Sequence, residues 1–230
     1  MQRTAVIWVI YSITHSAFMI GVATFAEQFP SFLFSVRGGI IADRYNRYKV
    51  LMATQTLSAL QAVLLTVFTF SGNYSVALIL GLSVFLGLVN AYDVPVRQSM
   101  INEIIDNKED LPNAIALNAT LNMLARLVGP ALAGFVLVKY GADYCFLSNA
   151  ISFIAVIGAI AAMRFPKDKF TVHQSKSKAR FKEALDYLAE NKPIATVIWI
   201  AALSSFLVLP YVTLLHVYAK VIFIRDTATY

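Results

Sequence analysis

From Val50 to Tyr92 the sequence carries no charged residue, a run of 43 positions. As one continuous helix this would reach about 65 Å, roughly twice the ~30 Å hydrocarbon thickness of a bilayer. The run therefore folds back on itself, and Ser71-Gly72-Asn73-Tyr74-Ser75 is the polar, turn-prone break within it. Two membrane spans joined by a tight hairpin are predicted, at about 50–70 and 76–96. Leu111–Val138 has one charge, Arg126, while Tyr144–Met163 and Pro193–Ala219 have none, which adds spans at about 112–138, 144–163 and 194–214.

The beginning of the chain is more ambiguous. Thr4–Ala26 is free of charge, but Thr14-His15-Ser16 reads as a turn. On that reading a span runs from Ala17 to about Ala42, and Thr4–Ile13 covers only ~15 Å, half a crossing. No small-residue cleavage site precedes a polar region, so a cleaved signal peptide fits poorly.

Composition agrees with this reading. The chain of 230 residues is 58% apolar and 14% charged, against about 45–50% and about 25% in soluble domains. Too few charges remain to coat a water-facing surface, disorder is excluded, and the single Cys145 excludes a disulfide scaffold. The net charge of +6 is a matter of placement. Segments 37–49, 97–111 and 164–192 hold 14 of the 19 Lys and Arg, whereas the alternate connections at 14–16, 71–75 and 139–143 hold only Lys139. By the positive-inside rule the first set is cytoplasmic, as are the N-terminus and the long loop, and nucleic acid is not an expected partner. Within that loop Phe181, Ala184, Leu185 and Leu188 share one helical face, predicting an amphipathic helix on the membrane surface or against helix ends.

Several polar residues inside the predicted spans bear on function. Glu27 lies ten positions into the second span, three before Pro30, which frees the carbonyl of Ala26. An unpaired carboxylate at that depth is held neutral by desolvation, as a proton carrier requires. A proton-carrying Glu27 and a permanently paired or protonated structural Glu27 both stand open. Asp93 and Arg97 are at i, i+4 and can pair, as a stabilised helix end or as a gate. Asn118, Asn122 and Arg126 repeat every four residues, giving the fifth span one polar face that should look into protein or a water-filled cavity. Pro130 frees the carbonyl of Arg126 itself, and Ala125, Gly129 and Ala133 form a small-residue stripe suited to close helix packing. Asp43 sits at a helix C-terminus, where the macrodipole disfavours it, so Arg44, Arg47 or another helix N-terminus is needed to offset it.

No His, Cys, Asp or Glu set has metal-ligand spacing, no catalytic triad or phosphate loop is present, and no cofactor is expected. His15 and His216 fall near outer span ends, and His173 in the long loop. Cys145 reads as a packed thiol. Trp8 and Trp199 suit lipid-facing or interfacial positions better than a substrate pocket. Pro30, Pro95, Pro130 and Pro210 lie within or near spans, where helices bend or break.

The loop Gly39-Ile40-Ile41-Ala42-Asp43-Arg44-Tyr45-Asn46-Arg47-Tyr48-Lys49 resembles the signature loop between helices 2 and 3 of the major facilitator superfamily. Asn46 replaces a Gly of that pattern, and Asn tolerates positive φ. Gly129-Pro130 with Gly134 is similar to the helix-5 motif of the superfamily's exporters. Asp93-x-Pro95-x-Arg97-Gln98, Asp110-Leu111-Pro112-x-Ala114-x-Ala116-Leu117-Asn118 and Ala125-Arg126-x-x-Gly129-Pro130 together resemble the subfamily of the enterobactin exporter and macrolide efflux pumps.

The resemblance implies an all-α membrane protein, a major-facilitator-type helical bundle. Residues 1–164 would be the N-terminal six-helix half with helix 1 incomplete, 165–192 a cytoplasmic linker, and 193–230 helix 7 and its following loop, with the C-terminal half missing. It further implies proton-coupled export of a small amphipathic siderophore or drug-like compound across a bacterial cytoplasmic membrane. Gly39, Asp43, Arg44 and Arg47 would form the gating loop. Glu27, Asp93, Arg97 and Arg126 are candidate coupling charges, and Asn118 and Asn122 candidates for the substrate path. The competing expectations are a truncated or fragmentary chain that does not transport alone, and a non-transporting membrane sensor or enzyme.

Overall fold

A computed structural model describes residues 1–72, 74–105, 107–163, 187–188, 190–205 and 207, with only the backbone at 102 and 108. The described residues are mostly helical, with no strand among them. The chain divides into two compact units, 1–174 and 175–230.

The first unit contains α1 (Gln2–Thr14), α2 (Ala17–Arg44), α3 (Arg47–Phe70), α4 (Val76–Ile104), a 3₁₀ turn at Lys108–Asp110, α5 (Leu111–Tyr140) and α6 (Ala142–Ala162). Helices α2 to α6 are long and apolar enough to cross a membrane, whereas α1, at 13 residues, is shorter. The second unit contains α7 (Lys192–Ser205), a shorter apolar helix that opens with Pro193.

Each reversal has a local cause. His15 takes a left-handed conformation (φ 48°) as the C-cap of α1, so the Thr14–Ser16 turn forms as expected. The side chain of Asn46 accepts from the Lys49 amide and caps α3. Its φ is −59°, so Asn46 replaces glycine by capping a helix rather than by adopting positive φ. Gly72 and Gly141, at φ 74° and 94°, make the turns before α4 and α6.

The observed spans differ from expectation chiefly in α4. It runs to Ile104, two turns beyond the predicted end at about 96, because nothing from Val96 to Ile104 breaks a helix. Pro30, Pro95 and Pro130 all lie inside continuous helices rather than at breaks. The expected amphipathic segment at Phe181, Ala184 and Leu185, and the far end of the 194–214 span with Pro210 and His216, lie outside the described residues.

α2 packs mainly on α4, and α3 lies between α4 and α6. One apolar cluster joins Val9 and Ile10 of α1, Leu65 of α3, Ile79 of α4, and Cys145 and Phe146 of α6. A second, at the other end, joins Ala42, Leu51, Val96, Met100 and Ile160. α3 is polar on the inside. Its buried face includes Thr54, Gln55, Ser58, Gln61, Thr66 and Thr69, while Leu57, Leu60, Val63, Leu64, Val67 and Phe70 face outward. In lipid no hydrophobic force drives helices together, so close packing and hydrogen bonds hold such an interface.

Candidate functional site

The loop between α2 and α3 is organised by Arg47. Its Nε donates to the carbonyl of Ala42 at 2.9 Å, which satisfies one of the orphan carbonyls at the end of α2. One guanidinium nitrogen lies 3.6 Å from Asp43 Oδ1, and the other pairs with Glu103 of α4. Arg47 is therefore the residue that compensates Asp43, and Arg44 is exposed. Gly39, singled out by the motif, has open space around it. The close approach is made by Gly38, where a Cβ would collide with the carbonyl of Ala91 in α4. Sequence reasoning missed Gly38 and Glu103. The paired glycines were a signal for the first, but Glu103 lay beyond the predicted end of α4.

Asp93 is buried, at 3% exposure. Its Oδ1 accepts from the hydroxyl of Thr54 at 2.8 Å and the amide of Gln55 at 2.7 Å, and its Oδ2 from Arg97 at 2.5 Å. The expected i, i+4 pair is present. The carboxylate also ties α4 to α3, which the spacing along α4 could not reveal.

Glu27 is not unpaired. Arg3 of α1 brings its Nε to 3.9 Å from Oε2. On the α4 side, a Cβ at Gly87 would meet the carbonyl of Glu27, so the two backbones touch there. Beside Arg3, Gln2 enters a chain of amides. Asn149 of α6 donates to Gln2 Oε1 at 2.5 Å, Gln2 Nε2 donates to Gln61 of α3 at 3.0 Å, and Gln61 Nε2 donates to the Leu82 carbonyl of α4 at 3.4 Å. Gln2, Arg3, Gln61 and Asn149 were all missed, because only the bundle brings four helices to one place.

α5 behaves differently from the other long helices. Asn118, Asn122 and Arg126 are exposed along one side, and Asn122 Nδ2 donates to the Asn118 carbonyl at 2.7 Å. Pro130 is exposed, and Gly129 and Gly134 have open space where a Cβ would stand. Of the small-residue stripe, Ala133 is buried and accepts from the Cys145 thiol at 3.6 Å, but Ala125 is exposed. The predicted stripe packs at its Ala133 end, and most side chains in the first two-thirds of α5 are exposed. The structure thus brings Asp43 to Arg47, Asp93 to Arg97, and Asn118 to Asn122.

The remaining candidates take ordinary places. Cys145 is buried, His15 meets the Tyr11 ring edge-on, and Trp8 and Trp199 are exposed. Among the described residues no three His, Cys, Asp or Glu side chains come close enough to hold a metal ion.

A family profile described as transmembrane secretion effector matches residues 1–230, the whole chain. The chain belongs to this family, within the major facilitator superfamily. Family membership and the membrane-length helices make it an integral membrane protein. Family relatives include the staphyloferrin A transporter of Staphylococcus aureus, 32% identical over 65% of this chain and 38% of the relative. Macrolide efflux protein A of Streptococcus pyogenes is 22% identical over 90% of this chain and 52% of its own length. The enterobactin exporter EntS of Salmonella typhi is 24% identical over 68% of this chain and 38% of its own. The chain thus spans about 38–52% of the length of these relatives. No solved structure gives a significant match.

Proposed function

We propose that residues 1–164 form the N-terminal half, 165–192 the linker and 193–230 helix 7 and its following loop, of a proton-coupled exporter that moves a small amphipathic compound, siderophore-like or drug-like, across a bacterial cytoplasmic membrane. The reading rests above all on the exposed polar face of α5, Asn118, Asn122 and Arg126, on a helix long and apolar enough to span. Such residues are costly against lipid and suit a water-filled substrate path between two halves that rock about it. The names of the relatives, a siderophore transporter, a siderophore exporter and a macrolide efflux protein, support the outward direction and the kind of cargo.

In this scheme Gly39, Asp43, Arg44 and Arg47 latch the gate at the cytoplasmic end, joined there by Glu103. Glu27 carries the coupling proton, while Asp93, Arg97 and Arg126 are charges within the moving bundle. The N-terminus and the long loop lie on the cytoplasmic side. The chain taken alone does not transport; its share of the relatives' length and the uncovered polar face of α5 favour this.

The test is efflux of radiolabelled erythromycin and of enterobactin from cells expressing the intact protein, with and without a proton gradient. Arg126→Ala and Asn122→Leu are expected to lower efflux at least tenfold, and Glu27→Gln to abolish its dependence on the gradient. Unchanged proton-dependent efflux in Glu27→Gln would falsify the coupling role. Efflux from cells expressing residues 1–230 alone would overturn the requirement for a second half.

A further inference from the structure

Arg3 and Glu27 each stand twelve residues from His15, the left-handed residue that reverses the chain between α1 and α2. Antiparallel helices leaving one turn bring such residues to the same depth, about 18 Å from the turn. Their 3.9 Å ion pair thus follows from the geometry of the hairpin. Among the described residues, the helices α3 and α4 bring no other charge to that level, and at the start of α1 the amino group of Met1, two residues from Arg3, lies near Cys145 of α6. α4 has none from Val76 to Tyr92 and α3 none from Val50 to Phe70, while Asp93 and Arg97 pair with each other further along α4.

Successive residues of a helix point about 100° apart. With Gln2 fixed towards α3 and α6 by Gln61 and Asn149, the next residue, Arg3, is turned towards α2. We infer that Arg3 is the built-in counter-ion of Glu27 and that Gln2, clasped by Gln61 and Asn149, positions it.

The inference rests on the reading of Glu27 as the coupling residue and extends it. An intramembrane carboxylate can release its proton only where its charge is compensated, and Arg3 supplies that compensation from within the same hairpin. When Glu27 takes up a proton the attraction ends, and α1 is released from α2 at that depth. The amide clasp meanwhile keeps α1 on α3 and α6, so the release is confined to the α1–α2 seam.

The experiment needs no substrate. Membranes carrying the intact protein are treated at pH 7 with dicyclohexylcarbodiimide, which adds to protonated carboxyl groups in apolar surroundings, and the adducts at Glu27 and Asp93 are quantified by mass spectrometry. Glu27 is expected to label slowly in the wild type, several-fold faster in Arg3→Gln, and slowly again in Arg3→Lys. Gln61→Leu and Asn149→Leu, which leave Arg3 intact, are expected to speed labelling of Glu27 while Asp93 stays protected.

Wild-type labelling in Arg3→Gln overturns the counter-ion assignment. Wild-type labelling in both Gln61→Leu and Asn149→Leu overturns the positioning role. A parallel rise at Asp93 marks general loss of packing and counts against the assignment in that variant. Efflux that keeps its proton dependence in Glu27→Gln would remove the coupling reading while leaving the labelling result intact, so the two failures are distinguishable.

Discussion

Gly38 of α2 and Ala91 of α4 meet backbone to backbone, with no room for a single carbon atom at Gly38 between them. Four residues before Ala91, Gly87 meets the carbonyl of Glu27 in the same way, so the two contacts fix the α2–α4 crossing. Gly38→Ala and Gly87→Ala must push backbone rather than a flexible side chain. Each is expected to destabilise the bundle by about 1–3 kcal/mol. Gly81→Ala, in open space inside α4, should instead stabilise the helix by about 0.5–1 kcal/mol. Thermal unfolding in detergent measures all three, and equal effects would remove the close crossing as the cause.

Asp93 is expected to matter more through α3 than through its ion pair. Asp93→Ala leaves the Gln55 amide without its acceptor, while Thr54 keeps the Leu51 carbonyl, and should cost about 1–3 kcal/mol. Asp93→Asn keeps an acceptor oxygen and should cost less. Arg97 is mostly exposed, so Arg97→Ala should cost least, below about 1 kcal/mol. Unfolding midpoints in that order support the assignment, and an Arg97→Ala loss equal to that of Asp93→Ala contradicts it.

The Arg47–Glu103 pair joins the α2–α3 loop to the extension of α4, with both side chains partly exposed. A double-mutant cycle of Arg47→Ala and Glu103→Ala should give a coupling of about 1 kcal/mol. At 1 M salt, where screening acts over about 3 Å, the coupling should shrink. A coupling that ignores salt would show that something other than charge links the two positions.

At the opposite end Tyr74, in the loop between α3 and α4, donates to Asp143 of α6 at 2.8 Å. Burial raises the Tyr74 phenol above its usual range, followed by this hydrogen bond and the nearby carboxylate charge. The folded chain therefore holds this proton more firmly than the unfolded one. The resulting stability is complete below about pH 10 and is lost as pH rises through the ionisation of Tyr74. Ultraviolet titration should show one late-ionising tyrosine that disappears in Tyr74→Phe and titrates earlier in Asp143→Asn.

The spans could be read from the sequence because lipid excludes charge, so gaps between charges mark helices. The loop at 39–49 was recognisable because its motif is local, and the Asp93–Arg97 pair because four residues make one helical turn. What escaped was set by packing between distant elements. Arg3 gave no sign of its role, since nothing in α1 alone points to a carboxylate 24 positions away. The polar inner face of α3 was hidden as well, because Thr54, Gln55, Ser58 and Gln61 sit in a stretch whose lack of charge is its most visible property. At Ala125 and Gly129 the small-residue stripe of α5 states that something can pack closely, and the described residues of this unit leave Ala125 exposed and open space at Gly129.

That inner face of α3 has a consequence for how the chain enters the bilayer. The hydroxyls of Thr54, Thr66 and Thr69 all have acceptors among the carbonyls of their own helix. They make no demand on a neighbour, so α3 can be released into lipid early and singly. The amides of Gln55 and Gln61 have no such provision. Their partners, Asp93 and the Leu82 carbonyl on α4 and Gln2 on α1, come from other helices. Insertion and assembly thus draw on different side chains of one helix: its threonines let it wait in the membrane, and its two glutamines determine which neighbours it waits for.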